Sequence, residues 1–501
     1  MNAVLAEAPD RPDAAETSNT AGGSEPQKLA DAALGDGSSD LIHVLTCGSV
    51  DDGKSTLIGR LLWDGADLPE DARAEVMQTL LPDGRVDLSR LVDGLAAERE
   101  QGITIDIAWR YIDSGARRYV IIDSPGHEQY TRNMATGASH ADVAIMLVDA
   151  RHGVKPQTRR HAAILGLLGV RRVILAVNKM DLVGGNEARF REIEADFRGL
   201  TARFDFEDAA AIPVVATTGD NVARSSSTMT WYEGPTLIEQ LNRIPPRGTV
   251  ATAAFRLPVQ LTVRGATDFR GIAGTVSSGS IAVGDAVLDN ASGRTARVRR
   301  IATMDGDLEA AHSGQAVVLQ LDTDLDISRG AVLSTPDAPA RQVRRLEARL
   351  FWMADAPFDP GRRLFLRSAT DLVPVLSVQI KAKLALETLG EVEAAFCHQN
   401  DVVLASVSLA RSTTLDNFAD HKGTGAVVLV DALTGATLAG GAVVALYEEQ
   451  GEASSQFVLT TAMLAKVVCA GLTPLSPEYQ RRADGVAEIL ALAGVDVRRV
   501  S

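Results

Sequence analysis

From Leu41 onward the chain alternates two hydrophobic rhythms. Continuous apolar runs, LIHVLTC, RYVIID, DVAIMLVDA, RRVILAVNK and AAIPVVA, read as the buried strands of a mainly parallel sheet. Between them, KSTLIGRLLW, PQTRRHAAILGLLG and NEARFREIEADFRGL repeat apolar residues three and four apart, the spacing of a helix with one buried face. Strand and helix in alternation predict a doubly wound α/β domain over residues 41–248, in which ligands gather beyond the C-terminal ends of the strands.

The rhythm changes at IPPRG, where Pro245, Pro246 and Gly248 read as a linker. From Ala251, short runs such as FRLPVQLTV, GDAVLDN, TARVRRIATM and QAVVLQL recur about every ten residues between Gly and Asp, the grammar of an antiparallel barrel. A second series runs from about Val343 to Glu448, so two antiparallel β-barrel domains are expected, over 251–338 and 339–449. In 450–501, FVLTTAMLAKVVCAG and SPEYQRRADGVAEILALAG read as helices, the second opening at Ser476 or Pro477 and closing at Gly494. That predicts a short helical C-terminal extension. Residues 1–40, rich in Ala, Gly, Ser and acids, carry neither an apolar secretion core nor an Arg-rich import pattern and read as a disordered segment.

Composition narrows the class. A chain of 501 residues needs more than one core, and no run approaches the roughly 18 uncharged apolar residues that cross a bilayer, so no membrane partner is expected. The net charge of −15 repels nucleic acid, and no nucleic-acid partner is expected either. Cys47, Cys397 and Cys469 lie far apart without metal or disulfide spacing, which fits a reducing cytoplasm.

The chemistry sits where strands end. Gly48-Ser49-Val50-Asp51-Asp52-Gly53-Lys54-Ser55-Thr56 follows the first strand and matches the GxxxxGK[ST] phosphate loop. Its glycines let successive N–H groups turn inward, Lys54 supplies a cation for the β and γ phosphates, and the Ser55 hydroxyl suits Mg²⁺. Asp123-Ser124-Pro125-Gly126-His127 ends the RYVIID strand, where a carboxylate can orient the Mg²⁺ shell and the Gly126 N–H can meet a γ-phosphate. Asn178-Lys179-Met180-Asp181 ends RRVILAVNK; a carboxylate at its last position accepts from both N1–H and the exocyclic amine of guanine, which adenine cannot offer. Thr104, between the first two motifs, has a hydroxyl suited to completing the Mg²⁺ shell, while ITIDIA around it also reads as a strand. The metal set expected is Ser55, Thr104 and Asp123.

With GSVDDGKST, GITID, DSPGH and NKMD in that order, the chain resembles the elongation-factor-Tu-like GTPases. Longer stretches are similar to the large subunits of bacterial sulfate adenylyltransferase: LVDGLAAEREQGITIDIAWRYI at 91–112, DSPGHEQYTRNMATGASHADVAIMLVDARHG at 123–153, GDNVARSSSTMTWYEGPTL at 219–237, DFRGIAGTVSSGSI at 268–281 and DISRG at 326–330. The resemblance runs from about Leu41 to Val444. It implies a P-loop GTPase domain before the two barrels, with GTP and Mg²⁺ bound. It also implies formation of adenosine 5′-phosphosulfate and diphosphate from ATP and sulfate, driven by GTP hydrolysis, with adenylyl transfer on a separate small-subunit partner. His127 falls at the family position beside the attacking water.

Two departures stand out. A Ser-Ala-Leu segment that helps bind guanine in the family reads Val215-Ala216-Thr217 here, keeping only Ala216, whose N–H is implied to reach the guanine oxygen. The family's Asn-Arg-x-Thr-Gly ending appears as Ala419-Asp420-His421-Lys422-Gly423-Thr424-Gly425. RRADGVAEILALAGVDV is similar to a helix and strand of adenylylsulfate kinase, yet no second GxxxxGK[ST] follows residue 56, so the extension reads as a remnant or a docking element. A second reading, a translation-factor-type GTPase that binds RNA or the ribosome, uses the same domain and barrels.

Overall fold

The computed structural model describes residues 41–65, 86–92, 106–114, 117–204, 206–245, 253–265, 270–386, 388–448, 457–460, 476–492 and 497–500, with residues 74, 77 and 104. The expected disorder of 1–40, most of the IPPRG linker and the Gly494 stop fall outside the described residues.

Five apolar runs form parallel neighbours, because a sheet covered by helices on both faces tolerates strands without alternation. They are β1 (Ile42–Gly48), β3 (Arg118–Asp123), β4 (Val143–Asp149), β5 (Arg172–Asn178) and β6 (Asp208–Pro213), with β2 (Ala108–Asp113) antiparallel at the edge. The order is β2-β3-β1-β4-β5-β6, with strand order reversing around β1. Every residue of β4 is buried. Helices α1 (Lys54–Gly65), α2 (Thr131–Ala138), α3 (Pro156–Leu167), α4 (Glu187–Thr201) and α5 (Leu237–Asn242) cover the sheet. Leu57, Ile58 and Leu61 of α1 join Leu237 and Leu241 of α5 in one core, while Ile164, Phe190 and Phe197 build the other. Fully burying each such side chain is worth about 1.5–3 kcal/mol, which is what holds short helices in place.

The edge strand differs from expectation. ITIDIA does not begin it: β2 starts at Ala108, and Thr104, Asp106 and Ile107 precede it outside regular structure. Asp106 bends the backbone by accepting from the Ile107 N–H through its own carboxylate, at 2.8 Å.

Beyond residue 253 two antiparallel sheets each close into a ring of six strands, which leaves no open edge in the ring. The first runs Ala286–Asp289, Val332–Ser334, Arg256–Arg264, Arg270–Thr275, Ala316–Leu321, Arg294–Thr303 and back. The second runs Leu364–Arg367, Ala426–Asp431, Thr437–Glu448, Arg341–Trp352, Val402–Leu415, Leu372–Ala385 and back. Each encloses its own apolar core, around Phe255, Val298 and Leu319 in one and Trp352, Leu366 and Val407 in the other. Phe351, Val402 and Ala442 of the second ring belong instead to the α3–α4 core of the α/β domain, so these two units share packed surface.

The extension is not purely helical. Pro477–Leu492 is a helix whose first turn is capped by Ser476 Oγ, which accepts from the Tyr479 N–H at 3.2 Å. FVLT, expected to open a helix, is instead a strand, Phe457–Thr460, paired in parallel with Val497–Val500. Three of its four residues are β-branched or aromatic, a preference that outweighed the helical spacing. Among the described residues no helix is long and apolar enough to cross a membrane.

One buried ion pair joins the two rings. Arg256 grips Asp416 with two hydrogen bonds, Nε to Oδ2 at 2.8 Å and Nη2 to Oδ1 at 3.0 Å, and also reaches the Phe255 and Ala338 carbonyls. Thr424 Oγ1 donates to the same carboxylate at 2.6 Å. Arg256→Ala leaves that carboxylate buried without its cation and is expected to cost about 3–5 kcal/mol, read as a lower urea midpoint.

Candidate nucleotide site

The phosphate loop is shaped by backbone strain and one buried cation. Asp51 (φ 67°) and Gly53 (φ 95°) both adopt the left-handed region, and a Cβ at Gly53 would run into Asn178 Nδ2. A non-glycine residue such as Asp51 holds that conformation only where its surroundings dictate it. Asp52, 1% exposed, does much of this. Its Oδ2 accepts from the Ser49 N–H at 2.8 Å, its Oδ1 pairs with Lys155 Nζ at 3.0 Å, and its carbonyl accepts from Asn178 Nδ2 at 2.9 Å. Lys54 curls back inside the loop, donating to the Gly48 carbonyl at 3.1 Å and the Ser49 carbonyl at 2.9 Å. Burial pushes its ammonium pKa down, while Asp123 and Asp52 pull it back up.

The neighbouring strand ends converge on this loop. Thr46 of β1 lies opposite Asp123 of β3, and Ser124 Oγ ties the two strands by donating to the Thr46 carbonyl at 2.7 Å. Pro125 and Gly126 are buried behind it, and a Cβ on Gly126 would strike Lys54 Nζ and the Gly48 carbonyl. His127 is half-buried and caps the short 3-10 turn Glu128–Tyr130, its Nδ1 accepting from the Gln129 N–H at 3.3 Å. At the end of β5, Lys179 is left-handed (φ 61°), Met180 is fully buried, and Asp181 stands exposed. Lys179 Nζ donates to the Asp51 carbonyl and lies 3.2 Å from Asp149 Oδ2. Asn178 Oδ1 accepts from the buried Ala216 N–H at 3.1 Å, so the amide implied to face a guanine oxygen is already hydrogen bonded within the protein.

Residues 39–249 match the family model of the elongation factor Tu GTP binding domain, and residues 345–444 match a GTP-eEF1A C-terminal domain-like model. Sulfate adenylyltransferase subunit 1 of Methylorubrum populi is 45% identical over 410 residues, covering 81% of this chain and 87% of that protein. The chain belongs to the sulfate adenylyltransferase subunit 1 family. The protein of the same name from Cellvibrio japonicus is 44% identical over 409 residues, covering 81% of this chain and 87% of its own length. The bifunctional enzyme NodQ of a Rhizobium species is 45% identical over 407 residues, 80% of this chain and 63% of NodQ.

In this family member the four strand-end segments do not all arrive equally. Gly48, Ser49, Asp51, Asp52, Lys54, Asp123, Asn178, Lys179 and Ala216 are interlinked by the contacts above, with Gly53 packed close to Asn178 and Gly126 close to Lys54. Val50, Ser55 and Thr56 are half-buried around the same loop, with Ser55 and Thr56 in the first turn of α1. Thr104 is half-buried too, in a segment whose neighbours Ile103 and Ile105 lie outside the described residues. Among the described residues no three His, Cys, Asp or Glu side chains cluster as a metal site. Three supporting residues escaped the motif reading. Lys155 neutralises Asp52 from 103 residues away, and Asp149 reaches Lys179. Arg60 of α1 clamps the segment after β6, Nε to the Ala216 carbonyl at 3.2 Å and Nη2 to the Thr217 carbonyl at 2.6 Å. Arg60 is visible in sequence only as a polar residue on the phosphate-loop helix.

Behind the loop, His161 of α3 is fully buried against the side-chain amide of Gln157 at 2.9 Å. Burial first, then Lys54 and Arg160, pushes its pKa down to about 3. The native state therefore binds fewer protons than the unfolded chain below the ordinary histidine value. This contribution to stability is present above about pH 6.5 and lost as pH falls toward 3. Thermal melts across that window are expected to show a falling midpoint, with a shallower slope in His161→Gln.

Proposed function

We propose that this chain is the GTP-hydrolysing large subunit of a two-subunit sulfate adenylyltransferase. In this reading it couples GTP hydrolysis to formation of adenosine 5′-phosphosulfate and diphosphate from ATP and sulfate, with adenylyl transfer on a separate small subunit. The observation that carries it is the meeting of Lys54, Asp123 and the Asn178–Asp181 segment around one backbone-lined loop, in a member of this family. The α/β unit over 41–248 is the nucleotide-binding part, the barrels over 251–338 and 339–449 bear the partner-facing surface, and the cytoplasm is where the reaction runs.

The residues fit a magnesium-bound guanine nucleotide. Among the described residues the Lys54 ammonium is held by two carbonyl oxygens, with carboxylates farther off, and Ser49 Oγ is buried with no hydrogen-bond partner; both gain from phosphate oxygens. The absent side chain of Gly126 leaves the space between Lys54 and Gly48 open at the γ-phosphate end. Ser55, Thr104 and Asp123 are the residues that would hold Mg²⁺, which neutralises charge building on the β and γ oxygens. Asp181, exposed at the pocket mouth, pairs with the guanine edge, and Ala216 shares its N–H between Asn178 and the base oxygen.

In this reading His127 positions water rather than taking its proton. Its Nδ1 accepts a backbone N–H, so a neutral ring carries its proton on Nε2 and offers a donor. A donor there can orient the attacking water toward the γ-phosphate. Free-energy coupling then requires that GTP and GDP states differ in affinity for the small subunit.

Phosphate release from GTP, measured with ATP, sulfate and an ATP-binding small subunit, tests the proposal. Turnover is expected to rise with the complete mixture, and His127→Ala to lower it by about 10²-fold with little change in nucleotide affinity. Asp181→Asn is expected to move preference from guanine to xanthine nucleotides, and Lys54→Ala to abolish triphosphate binding, both by calorimetry. Wild-type protein that binds adenine but not guanine nucleotides would end this reading. Tight, salt-sensitive retention of tRNA would favour the translation-factor alternative instead.

A further inference from the structure

Asp149 is a carboxylate that the proposed chemistry has not used. It ends β4, and its partner across the parallel ladder is Asn178, so it emerges beside Lys179. It is 1% exposed. Arg151 returns to it through Nε at 3.0 Å and Nη2 at 2.6 Å, and donates its backbone N–H at 2.9 Å. Desolvation raises the pKa of this carboxyl, yet the hydrogen bonds from Arg151 and Lys179 outweigh it and hold the group well below the usual carboxylate range. It is therefore charged at any working pH.

Lys179 is the group that needs such a partner. Its backbone is left-handed and its ammonium is pinned at two points, the Asp51 carbonyl of the phosphate loop and Asp149 Oδ2. The four-carbon stem is thereby drawn across the gap between the end of β5 and the phosphate loop. Without the carboxylate, one exposed backbone carbonyl is what remains, among the described residues, to fix a long, rotatable side chain, and the entropy of a free lysine works against it. Arg151 lies within the electrostatic reach of Asp181, so the same small network touches the base-selecting acid.

We propose that Asp149 is a positioning residue of the purine site: it holds the Lys179 ammonium against the phosphate loop, so that the lysine stem forms a fixed apolar wall for the base of a guanine nucleotide. This rests on the guanine-nucleotide reading above. Because it acts at the base and not at the γ-phosphate, it affects GDP and GTP alike. The plain alternative is that Asp149 only shapes the turn after β4, where its backbone carbonyl already accepts from the His152 and Gly153 amides.

A double-mutant cycle on the full chain, titrated with GDP and Mg²⁺ in a calorimeter, separates the two. Asp149→Asn is expected to weaken GDP binding about tenfold in the wild-type background and less than about twofold when Lys179→Ala is already present. Equal losses in both backgrounds, or no loss in the first, overturn the inference in favour of the turn role. Should Asp149→Asn fail to fold, Asp149→Ser keeps a cap for the Arg151 amide while removing the charge, and the same cycle decides. A wild-type chain that takes no guanine nucleotide at all fails earlier, and sinks the reading beneath this one.

Discussion

Placing an ammonium inside protein is costly, and Lys54 is the cation around which this molecule is arranged. Water is replaced by two carbonyls of its own loop and by the fields of Asp52 and Asp123. Each of those carboxylates is in turn fixed by something remote. Asp52 is fixed by Lys155 at the head of α3, and Asp123 by its position at the end of a strand paired with β1. The parallel sheet is thus the scaffold that lets opposite charges meet in a low dielectric without collapsing onto one another.

That arrangement places two of the strained residues side by side. Asp51 and Lys179 both hold left-handed backbones, and they face each other through the Lys179 ammonium and the Asp51 carbonyl. Asn178 bridges the same gap, donating to Asp52 and accepting from Ala216. Strain in two loops is stabilised by hydrogen bonds between them, so neither loop keeps its shape alone.

The fold was largely readable because its signals are local. Buried strands announce themselves as apolar runs, the barrels as short runs between Gly and Asp, and the phosphate loop as a fixed spacing after a strand. The same local logic misled at two places. ITIDIA has strand composition, but Asp106 turns the chain and the strand starts at Ala108. FVLTTAMLAKVV has helical spacing, yet its first four residues pair with Val497–Val500 some forty positions on, a long-range contact no window can see. At the site, motif residues were legible and their supports were not. Arg60, Lys155 and Asp149 act across 156, 103 and 30 positions, and each is an unremarkable charged residue until the sheet brings it to its partner.

The joints between units are unequal in kind. The rings are clasped by a desolvated guanidinium and carboxylate, Arg256 and Asp416, which cannot part without stranding both. The second ring meets the α/β domain through apolar packing and through side chains that reach backbone carbonyls, Asn400 to Glu128 and Lys422 to Gly169. Glu128 is the residue after His127, so one of the hydrogen bonds that seat the second ring is anchored a single peptide away from that histidine.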